Sequence, residues 1–576
     1  MTVFAEVLQR AQTWAQHDLN PADAASVRNE VATSQALGKL TKNLQRFFSG
    51  PALAFGTAGI RAPMHPGPCG LNASTVAVSV RAIAKFLLQD YTITQSPKVV
   101  VGFDARNRSA AFARIAAEVL AGAGIETTLF MEHCPTPVLA FTARNYDFDA
   151  GIMITASHNP PIDNGLKLFL GSGSQIISPS DTKIQNYINA EPTPAAIKLS
   201  ATYQTPKINY TEAYVAAMKL ALEPFWNLST HSGFKVTLTP LHGVGGQVAL
   251  ELFDALGDVT VTTVSEQFKP DPAFPTVDFP NPEIPETLSL LNAELKNSGA
   301  DLGLALDPDA DRLAVVLGDN NEVLSGDDVG VLLAYFLAKH PHLLPPHPVF
   351  ASSVVSSQML AVLAKQFGLG YCQTLTGFKW ISRAPDLSFG YEEAIGYSLT
   401  PDLVRDKDGI TAAVVITALG RYLAGIGSSF SQLRNEAFAE LGLWVNHNYS
   451  ITLPAGKNLD FTDLITYLHA QQTMLGDYQL TTIRDYRQGL DGLPPAGLLG
   501  LSFTGSQAEQ IRVMLRPSGT EPKLKVYTET LYPVQPLTVT NTTLVANRKS
   551  AHQVLVNLGE HLEQVLTKYL ASRTEH

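Results

Sequence analysis

The stretch KVVVGFDARNRSAAFARIAAEVLAGAGIETTLFM, residues 98–131, decides the fold. It begins with an apolar run, passes through a polar loop into a helical pattern that ends in glycines, and closes with a second apolar run. This order of strand, helix and strand predicts a βαβ unit with parallel strands. The apolar run GIMIT at 151–155 continues the alternation. Functional groups are then expected at the carboxyl ends of the strands.

The same alternation recurs along the 576 residues, which are too many for a single hydrophobic core. We therefore predict the α/β class, with three similar α/β domains that have mixed parallel sheets and a C-terminal α+β domain. A helical collar over residues 1–47 precedes the first sheet, because its apolar residues recur at spacings of three and four. The predicted domains are residues 1–208, 209–322, 323–440 and 441–576.

Charge and composition limit the partners of the chain. A formal net charge of −11 argues against nucleic acid or an anionic membrane as a partner, because either requires a basic face on the protein. The three cysteines are far apart and predict neither a disulfide framework nor a zinc site. No secretory leader and no long uncharged apolar run is visible. We expect a cytoplasmic protein that is a monomer or a weak homodimer.

Three aspartates follow the apolar strand LGLAL at alternate positions: Asp307, Asp309 and Asp311. Carboxylates that converge on one loop repel each other unless a cation neutralises them, and oxygen ligands suit Mg²⁺. The pattern predicts a magnesium site, with a solvated acidic turn as the alternative.

A serine and a histidine, Ser157 and His158, end the GIMIT strand, and Pro160 prevents the loop from continuing as a helix. A serine at this end of a sheet can act as a nucleophile, and His158 can exchange protons with it. A Ser-His capping turn is the structural alternative. Lys167, in the next apolar run, returns a cation towards the same end of the sheet.

Further loops carry groups that suit a phosphorylated sugar. The loop RPSGTEPK, which starts at Arg516, combines backbone N–H groups, two hydroxyls and a guanidinium, as a dianionic phosphate requires, although an exposed β-turn is the alternative. The loop GYEEAIGY carries Glu392, which can accept hydrogen bonds from sugar hydroxyls or be simply solvated. Arg61 and Lys407 lie in glycine-bearing loops, either as phosphate-steering cations or as surface charge.

Taken together, the motifs FGTAGIR, TASHNP, DPDADR, GYEEAIG and RPSGTEPK resemble those of the α-D-phosphohexomutase family. The resemblance covers about residues 48–530. The sequences TPLHGVGG, TGFKWI and EEAIGY are most similar to the phosphoglucomutase and phosphopentomutase branch. The resemblance implies that the four domains surround a central cleft.

The resemblance also implies a chemistry. Ser157 would be a phosphoserine, and one Mg²⁺ per active site would be bound by a phosphate oxygen on Ser157 and by the three aspartates. The phosphoserine would give its phosphoryl group to a sugar monophosphate, and the bisphosphate would turn round and return its other phosphate. Glucose 1,6-bisphosphate would be the activator, and the substrate a phosphorylated hexose or pentose. Either His158 or Lys167 would take the hydroxyl proton.

The remaining site residues follow from the same resemblance. Arg61 joins the catalytic set, and Arg516, Ser518, Gly519 and Thr520 would bind the phosphate that does not react. Many family members have serine where this chain has Ala394, so the preference among glucose, mannose and pentose stays open. The complete set of expected substrate-binding residues is Arg312, Gly377, Lys379, Glu392, Ala394, Lys407, Arg516, Ser518, Gly519 and Thr520.

Two rival functions differ in kind from a mutase. A phosphatase of the haloacid dehalogenase type can use Asp307 as nucleophile and Asp309 as acid and base, but it needs neither Ser157 nor a remote phosphate loop. It would release inorganic phosphate from a sugar phosphate. A sugar-phosphate binding protein without catalysis would bind its ligand without exchanging a phosphate label.

Overall fold

The computed structural model describes residues 2–56, 59–91, 96–229, 231–453, 459–470, 474–506, 509–518, 523–533 and 541–572. The chain forms two units. The first contains residues 1–325 and 394–425, and the second contains residues 326–393 and 426–576.

Three helices precede the first sheet, as the sequence predicted. They are α1 (Val3–His17), α2 (Pro21–Leu37) and α3 (Lys42–Phe48). At the start of each helix, a side-chain oxygen accepts a backbone N–H. The acceptor belongs to Thr2 in α1, to Asn20 in α2 and to Thr41 in α3. The helices pack through one apolar cluster to which all three contribute, including Trp14, Val27 and Phe48.

The first α/β domain is a five-stranded sheet in the order β1-β5-β4-β2-β3. The central pairs β2–β3 and β2–β4 are parallel, whereas β5 is antiparallel to β4 and β1. The sheet is therefore mixed, as predicted. Its elements are β1 (Ile60–Pro63), α4 (Ala73–Gln89), β2 (Lys98–Phe103), α5 (Ser109–Gly122), β3 (Glu126–Leu129), α6 (Thr136–Asn145), β4 (Ala150–Ile154), β5 (Asp163–Leu170) and α7 (Ser180–Ala190).

The second α/β domain repeats this plan with the order β10-β9-β8-β6-β7. Strand β6 is parallel to β7 and β8, and β9 is antiparallel to β8 and β10. Strands β8 and β9 are completely buried, which explains their uninterrupted apolar sequences. The elements are α8 (Tyr210–Ala221), α9 (Glu223–Trp226), β6 (Phe234–Thr239), α10 (Gly246–Phe253), β7 (Val259–Thr263), α11 (Ser265–Phe268), α12 (Ser289–Ser298), β8 (Leu302–Leu306), β9 (Leu313–Leu317) and β10 (Val323–Leu324).

The third α/β segment contributes to both units. In the second unit, β11 pairs in parallel with β12 and with β13. In the first unit, α16 packs against β6, β8 and β9 of the second domain. The elements are α13 (Gly326–Lys339), β11 (Val349–Ser353), α14 (Met359–Gln366), β12 (Gly370–Thr374), α15 (Phe378–Ile381), β13 (Leu387–Glu392), β14 (Gly396–Ser398), α16 (Gly409–Gly425) and α17 (Phe430–Leu441).

The C-terminal domain is a six-stranded antiparallel sheet in the order β15-β20-β19-β18-β17-β16. Helix α19 packs on β15 and β20. This arrangement confirms the α+β prediction, and the exact domain boundaries stay a prediction. The elements are β15 (Leu443–Thr452), α18 (Phe461–Ala470), β16 (Met474–Leu475), β17 (Tyr478–Asp485), β18 (Leu499–Thr504), β19 (Gln510–Pro517), β20 (Lys523–Tyr532) and α19 (Asn541–Ser572).

Within the described ranges, no single helix has both the length and the apolar composition to span a membrane. Helices α16 and α17 meet that requirement only when they are taken together as a broken pair.

Candidate active site

The aspartate loop, residues 307–311, connects β8 to the turn before β9. The side chains of Asp307, Asp309 and Asp311 are fully buried, and one oxygen of each lies within 4.8 Å of the others. The loop is shaped by glycines of the TPLHGVGG motif, because a Cβ at Gly243 would lie 2.3 Å from the Pro308 carbonyl oxygen. The sequence prediction that the three carboxylates converge is thus met by the geometry.

Cations surround the aspartate loop. The Lys167 ammonium donates to Asp309 over 2.6 Å and to Asp311 over 2.7 Å, and its side chain is 3% exposed. Lys407 Nζ lies 2.8 Å from the Asp311 carboxylate. The predicted residues Lys167 and Lys407, which belong to separate parts of the sequence, therefore meet at this loop.

The donor set of the loop fits a divalent cation. Among the described residues, Oδ1 of Asp309 and Oδ1 of Asp311 are buried carboxylate oxygens without a hydrogen-bond partner. An unpaired buried acceptor is unfavourable, and hard oxygen ligands are what Mg²⁺ prefers. The three aspartates could hold such an ion, and the two orphaned oxygens are the observation that supports it.

The electrostatics of the loop are set by burial and by neighbouring charges. Burial raises the pKa of Asp307 well above its usual range, and the carboxylates of Asp311 and Asp309 raise it further. Burial also works against the charge of Asp309, but the Lys167 ammonium outweighs it and holds the pKa of Asp309 below its usual range. Burial alone would lower the pKa of Lys167, but the carboxylates of Asp309 and Asp311 outweigh burial and raise this pKa.

Ser157 lies at the turn that follows β4, with its side chain buried against the aspartate loop. Its Oγ donates to Oδ2 of Asp307 over 2.7 Å and lies 3.1 Å from Nδ1 of His158. Its φ of +52° is in the left-handed region, where a residue with a Cβ is uncommon. The predicted nucleophile and the predicted metal ligands are therefore in direct contact.

His158 and Arg312 form a second contact at the serine. Arg312 Nη2 contacts Nδ1 of His158, and Arg312 Nη1 donates to Glu283 over 2.7 Å. The Arg312 contact therefore involves the same ring nitrogen that faces Ser157 Oγ. The ring also packs edge-on against Phe279, at 6.1 Å between centroids. Phe279 belongs to the proline-rich loop, residues 269–286.

The other predicted residues of the first unit lie at the margin of this cluster. Arg61 is on β1, and its Nη1 lies 3.5 Å from Oδ1 of Asn159 in the serine loop. Ala394 follows β13 in the chain. The carbonyl of the next residue, Ile395, accepts the backbone N–H of Leu313, which is the residue after Arg312.

The remaining predicted residues belong to the second unit. Gly377 precedes α15 with a φ of +105°, Lys379 lies in α15, and Glu392 is buried at the end of β13. Arg516 is near the end of β19, and the Ser518 N–H closes the hairpin by donating to the Lys523 carbonyl. Gly519 and Thr520 lie outside the described residues. The assignment of these residues to a substrate stays a prediction.

Two contacts at the aspartate loop were missed by the sequence analysis. Thr136, at the start of α6, donates to Oδ2 of Asp309 over 2.5 Å and also donates its N–H to the Asp309 carbonyl. Glu283 pairs with Arg312 from the proline-rich loop. Neither residue stands in a recognisable motif, so no signal in the sequence would have found them.

Comparison with known proteins agrees with this architecture. Three family models match, described as phosphoglucomutase/phosphomannomutase alpha/beta/alpha domains I, II and III, at residues 52–195, 212–320 and 325–441. A Haemophilus influenzae protein named as a probable phosphomannomutase is 36% identical over 80% of this chain and 92% of its own length. The phosphopentomutase of Mus musculus is 34% identical over 92% of this chain and 91% of its own.

A solved structure shares the fold. The open form of parafusin, a phosphoglucomutase from Paramecium, superposes with a TM-score of 0.66 at 17% identity, over 90% of this chain and 96% of that protein. Fold and site thus define an enzyme of the isomerase class that moves a phosphoryl group within its substrate. The chain belongs to the phosphoglucomutase/phosphomannomutase family, within the α-D-phosphohexomutase superfamily.

Proposed function

We propose that the chain is a phosphoglucomutase, which interconverts α-D-glucose 1-phosphate and glucose 6-phosphate through a phosphoserine and glucose 1,6-bisphosphate. One observation carries the proposal. Ser157 Oγ lies 2.7 Å from a carboxylate of three converging aspartates, two of which have an orphaned oxygen. This contact supports a role for Ser157 as nucleophile and for the aspartates as ligands of a divalent cation. The names of the three matching family models support glucose among the candidate sugars.

The metal role falls to Asp307, Asp309 and Asp311, together with a phosphate oxygen on Ser157. Bound Mg²⁺ would supply positive charge to the phosphoryl group during transfer. Lys167 and Lys407 add cationic charge from the protein, because both ammonium groups contact the Asp311 carboxylate. A dianionic substrate can therefore approach a loop that would otherwise repel it.

Phosphoryl transfer needs a group that moves one proton. When the phosphoryl group leaves Ser157 Oγ for the 6-hydroxyl oxygen of glucose 1-phosphate, the hydroxyl proton goes to Nδ1 of His158. His158 then gives that proton to Ser157 Oγ, which lies 3.1 Å away. The second half-reaction runs in reverse: Ser157 attacks the 1-phosphate of the bisphosphate, and the proton passes through His158 to the sugar oxygen that leaves.

His158 suits this role better than Lys167 on geometry. Nδ1 of His158 lies 3.1 Å from Ser157 Oγ, whereas the Lys167 ammonium donates to the carboxylates of Asp309 and Asp311. We expect His158→Gln to lower kcat by about 10²-fold. A loss of that size in Lys167→Arg, with His158→Gln fully active, would instead assign proton transfer to Lys167.

The loops of the second unit would bind the rest of the substrate. Glu392 and Lys379 would contact the sugar, and Gly377, at a φ of +105°, would shape the turn that precedes Lys379. Arg516, Ser518, Gly519 and Thr520 would bind the phosphate that does not react. Arg312 and Arg61 would steer the reacting phosphate from the first unit.

A phosphopentomutase is the second candidate. Its support is the mouse phosphopentomutase, which matches over 92% of this chain. Ala394 also lacks the hydroxyl that many family members present at this position, so one hydrogen bond to a hexose hydroxyl is missing.

The test is a Mg²⁺-dependent assay on glucose 1-phosphate, mannose 1-phosphate and ribose 1-phosphate, each with its catalytic bisphosphate, together with intact-protein mass. We expect glucose turnover and a phosphate adduct that is lost in Ser157→Ala. Ser265→Ala, at an exposed serine of the same unit, should keep both. Preference for ribose 1-phosphate would select the second candidate. Release of inorganic phosphate without isomerisation, or an active Ser157→Ala, would reject a phosphoserine mutase.

A further inference from the structure

Arg106, in the loop FDARNRS after β2, binds the backbone of the serine loop. Its side chain is 1% exposed. Nη1 donates to the carbonyls of Pro160 (3.0 Å) and Asp163 (3.2 Å), and Nη2 donates to those of Asn159 (2.7 Å) and Ser157. One guanidinium therefore satisfies four carbonyls of residues 157–163.

The carboxylate of Asp104 completes this attachment from the other side of Ser157. The Ser157 N–H donates to Thr155 Oγ1 over 2.8 Å, and Thr155 Oγ1 donates to Oδ2 of Asp104 over 2.7 Å. The same Oδ2 lies 3.3 Å from Nε of Arg106. Both peptide groups that flank Ser157 are thus connected to one buried ion pair.

The serine loop depends on such external donors. Pro160 and Pro161 have no N–H group, so the loop cannot satisfy its carbonyls as a helix would. Ser157 is also held at a φ of +52°, which its surroundings must impose. Phe274, from the proline-rich loop, covers the guanidinium at 4.9 Å and excludes water from it.

We propose that Arg106 is the positioning residue that holds Ser157 in the orientation required for phosphoryl transfer. The inference rests on the proposed function of Ser157. Arg106 itself does not bind the phosphate, because Nη1 and Nη2 donate to the four carbonyls and Nε is buried beside Asp104. Its effect on the reaction is therefore transmitted through the backbone of residues 157–163.

The test compares Arg106→Lys with Arg108→Lys in the same loop. A lysine has one nitrogen and cannot reach four carbonyls, whereas Arg108 is partly exposed and pairs with Asp23. We expect kcat to fall by about 10²-fold in Arg106→Lys, because a small misplacement of a reacting group has that effect, with KM changed less than about threefold. The rate at which bisphosphate phosphorylates Ser157, measured by intact mass, should fall in parallel. Arg108→Lys should stay within about twofold of the unaltered protein.

A second variant covers a failure of Arg106→Lys to fold. Thr155→Val keeps the shape of the side chain but removes the acceptor of the Ser157 N–H, and it should lower kcat by about tenfold at nearly constant KM. Unchanged kcat in a folded Arg106→Lys variant would overturn the inference. If only Thr155→Val folds, unchanged kcat in that variant would do the same. In either case, isomerisation by the unaltered protein would still uphold the proposed function. Absence of isomerisation by the unaltered protein would overturn both.

Discussion

Two regions of the molecule each bring three carboxylates together, but they neutralise them differently. In the aspartate loop of the first unit, the partners include Lys167 and Lys407, and two carboxylate oxygens have no hydrogen-bond partner among the described residues. In the second unit, Asp327, Glu393 and Glu529 form an acidic cluster whose hydrogen bonds come largely from neutral donors.

The acidic cluster links the third α/β segment to the C-terminal sheet within the second unit. Asp327 accepts hydrogen bonds from the Ser357 N–H (2.7 Å), the Tyr391 hydroxyl (3.0 Å) and the Asn446 amide (2.6 Å). Glu529 pairs with Arg512 over 3.0 Å, and the two residues are cross-strand neighbours on β20 and β19.

The difference separates a binding site from a structural contact. A cluster whose acceptors are all matched by fixed donors has no capacity for another ion and gains nothing from one. A loop with spare carboxylate oxygens can accept a cation, and its ammonium groups can contact a bound phosphate. Variants of the two regions should therefore differ in what they impair: activity in the first region and stability in the second.

The largest effect is expected for Asp309→Asn in the aspartate loop. Removing one metal ligand should lower kcat by about 10³-fold, a loss comparable to that of a key electrostatic group at a transition state. Calorimetry should show weaker Mg²⁺ binding. The unfolding temperature should fall only moderately, because Lys167 loses the charge of Asp309 but keeps its contact with Asp311. Asp327→Asn is the matched variant in the acidic cluster and should keep kcat within about threefold. Nearly full activity in Asp309→Asn would remove the loop from the metal site.

The next effect concerns stability. Arg512→Met leaves Glu529 buried without its cation, which should cost about 3 kcal/mol. Hydrogen exchange of peptides from β19 and β20 measures that loss in the C-terminal sheet alone. Arg484→Met breaks a pair with Asp491 in which both side chains are exposed, and it should cost less than about 1 kcal/mol. Equal losses in the two variants would mean that the buried pair contributes no more than an exposed one.

A smaller effect is expected from pH. Burial raises the pKa of Asp327 from 3.8 to about 7, and the nearby carboxylates of Glu393 and Glu529 add to the effect. Between about pH 4 and pH 7, the folded protein keeps a proton on Asp327 that the unfolded chain has released. The stabilisation of the fold by that proton is complete below about pH 4 and is lost as the pH rises to about 7. From pH 5 to pH 8, the free energy of unfolding of the second unit should fall by about 2 kcal/mol more in the unaltered protein than in Asp327→Asn. Hydrogen exchange of peptides from the second unit measures this free energy. Parallel pH profiles would show that Asp327 ionises normally.

The sequence predicted the fold class and the convergence of three aspartates. The alternation in residues 98–131 predicted β2, α5 and β3, whereas the association of Ser157 with the three aspartates came from the resemblance to the family. Lys167 was also predicted at this end of the sheet. These predictions succeeded because strand periodicity and loop position are local properties of the chain.

What the sequence did not predict depends on long-range contacts. Arg106 reads as one charge in a polar loop, and only the fold brings it to four carbonyls more than fifty residues away. Asp327 reads as an acid in the first turn of a helix, and Glu529 as a polar residue in a strand. Helix α16 packs on the second-domain strands, although periodicity alone cannot say which sheet a helix covers. The oligomeric state, the location in the cell and the substrate contacts of the second unit stay predictions.

The smallest effect tests the acidic cluster at a single hydrogen bond. The Asn446 amide donates to Oδ2 of Asp327, so Asn446→Ala removes one neutral donor and leaves the carboxyl in place. A hydrogen bond to a charged group contributes more than one to a neutral group, and Asp327 is charged at pH 8 and neutral at pH 5. The variant should therefore cost about 2 kcal/mol at pH 8 and about 1 kcal/mol at pH 5, measured by hydrogen exchange of β15. Asn448→Ala, two residues along the strand and exposed, should cost little at either pH. If the Asn446→Ala loss were the same at both pH values, Asp327 would have the same charge at pH 5 and at pH 8, which would contradict its raised pKa.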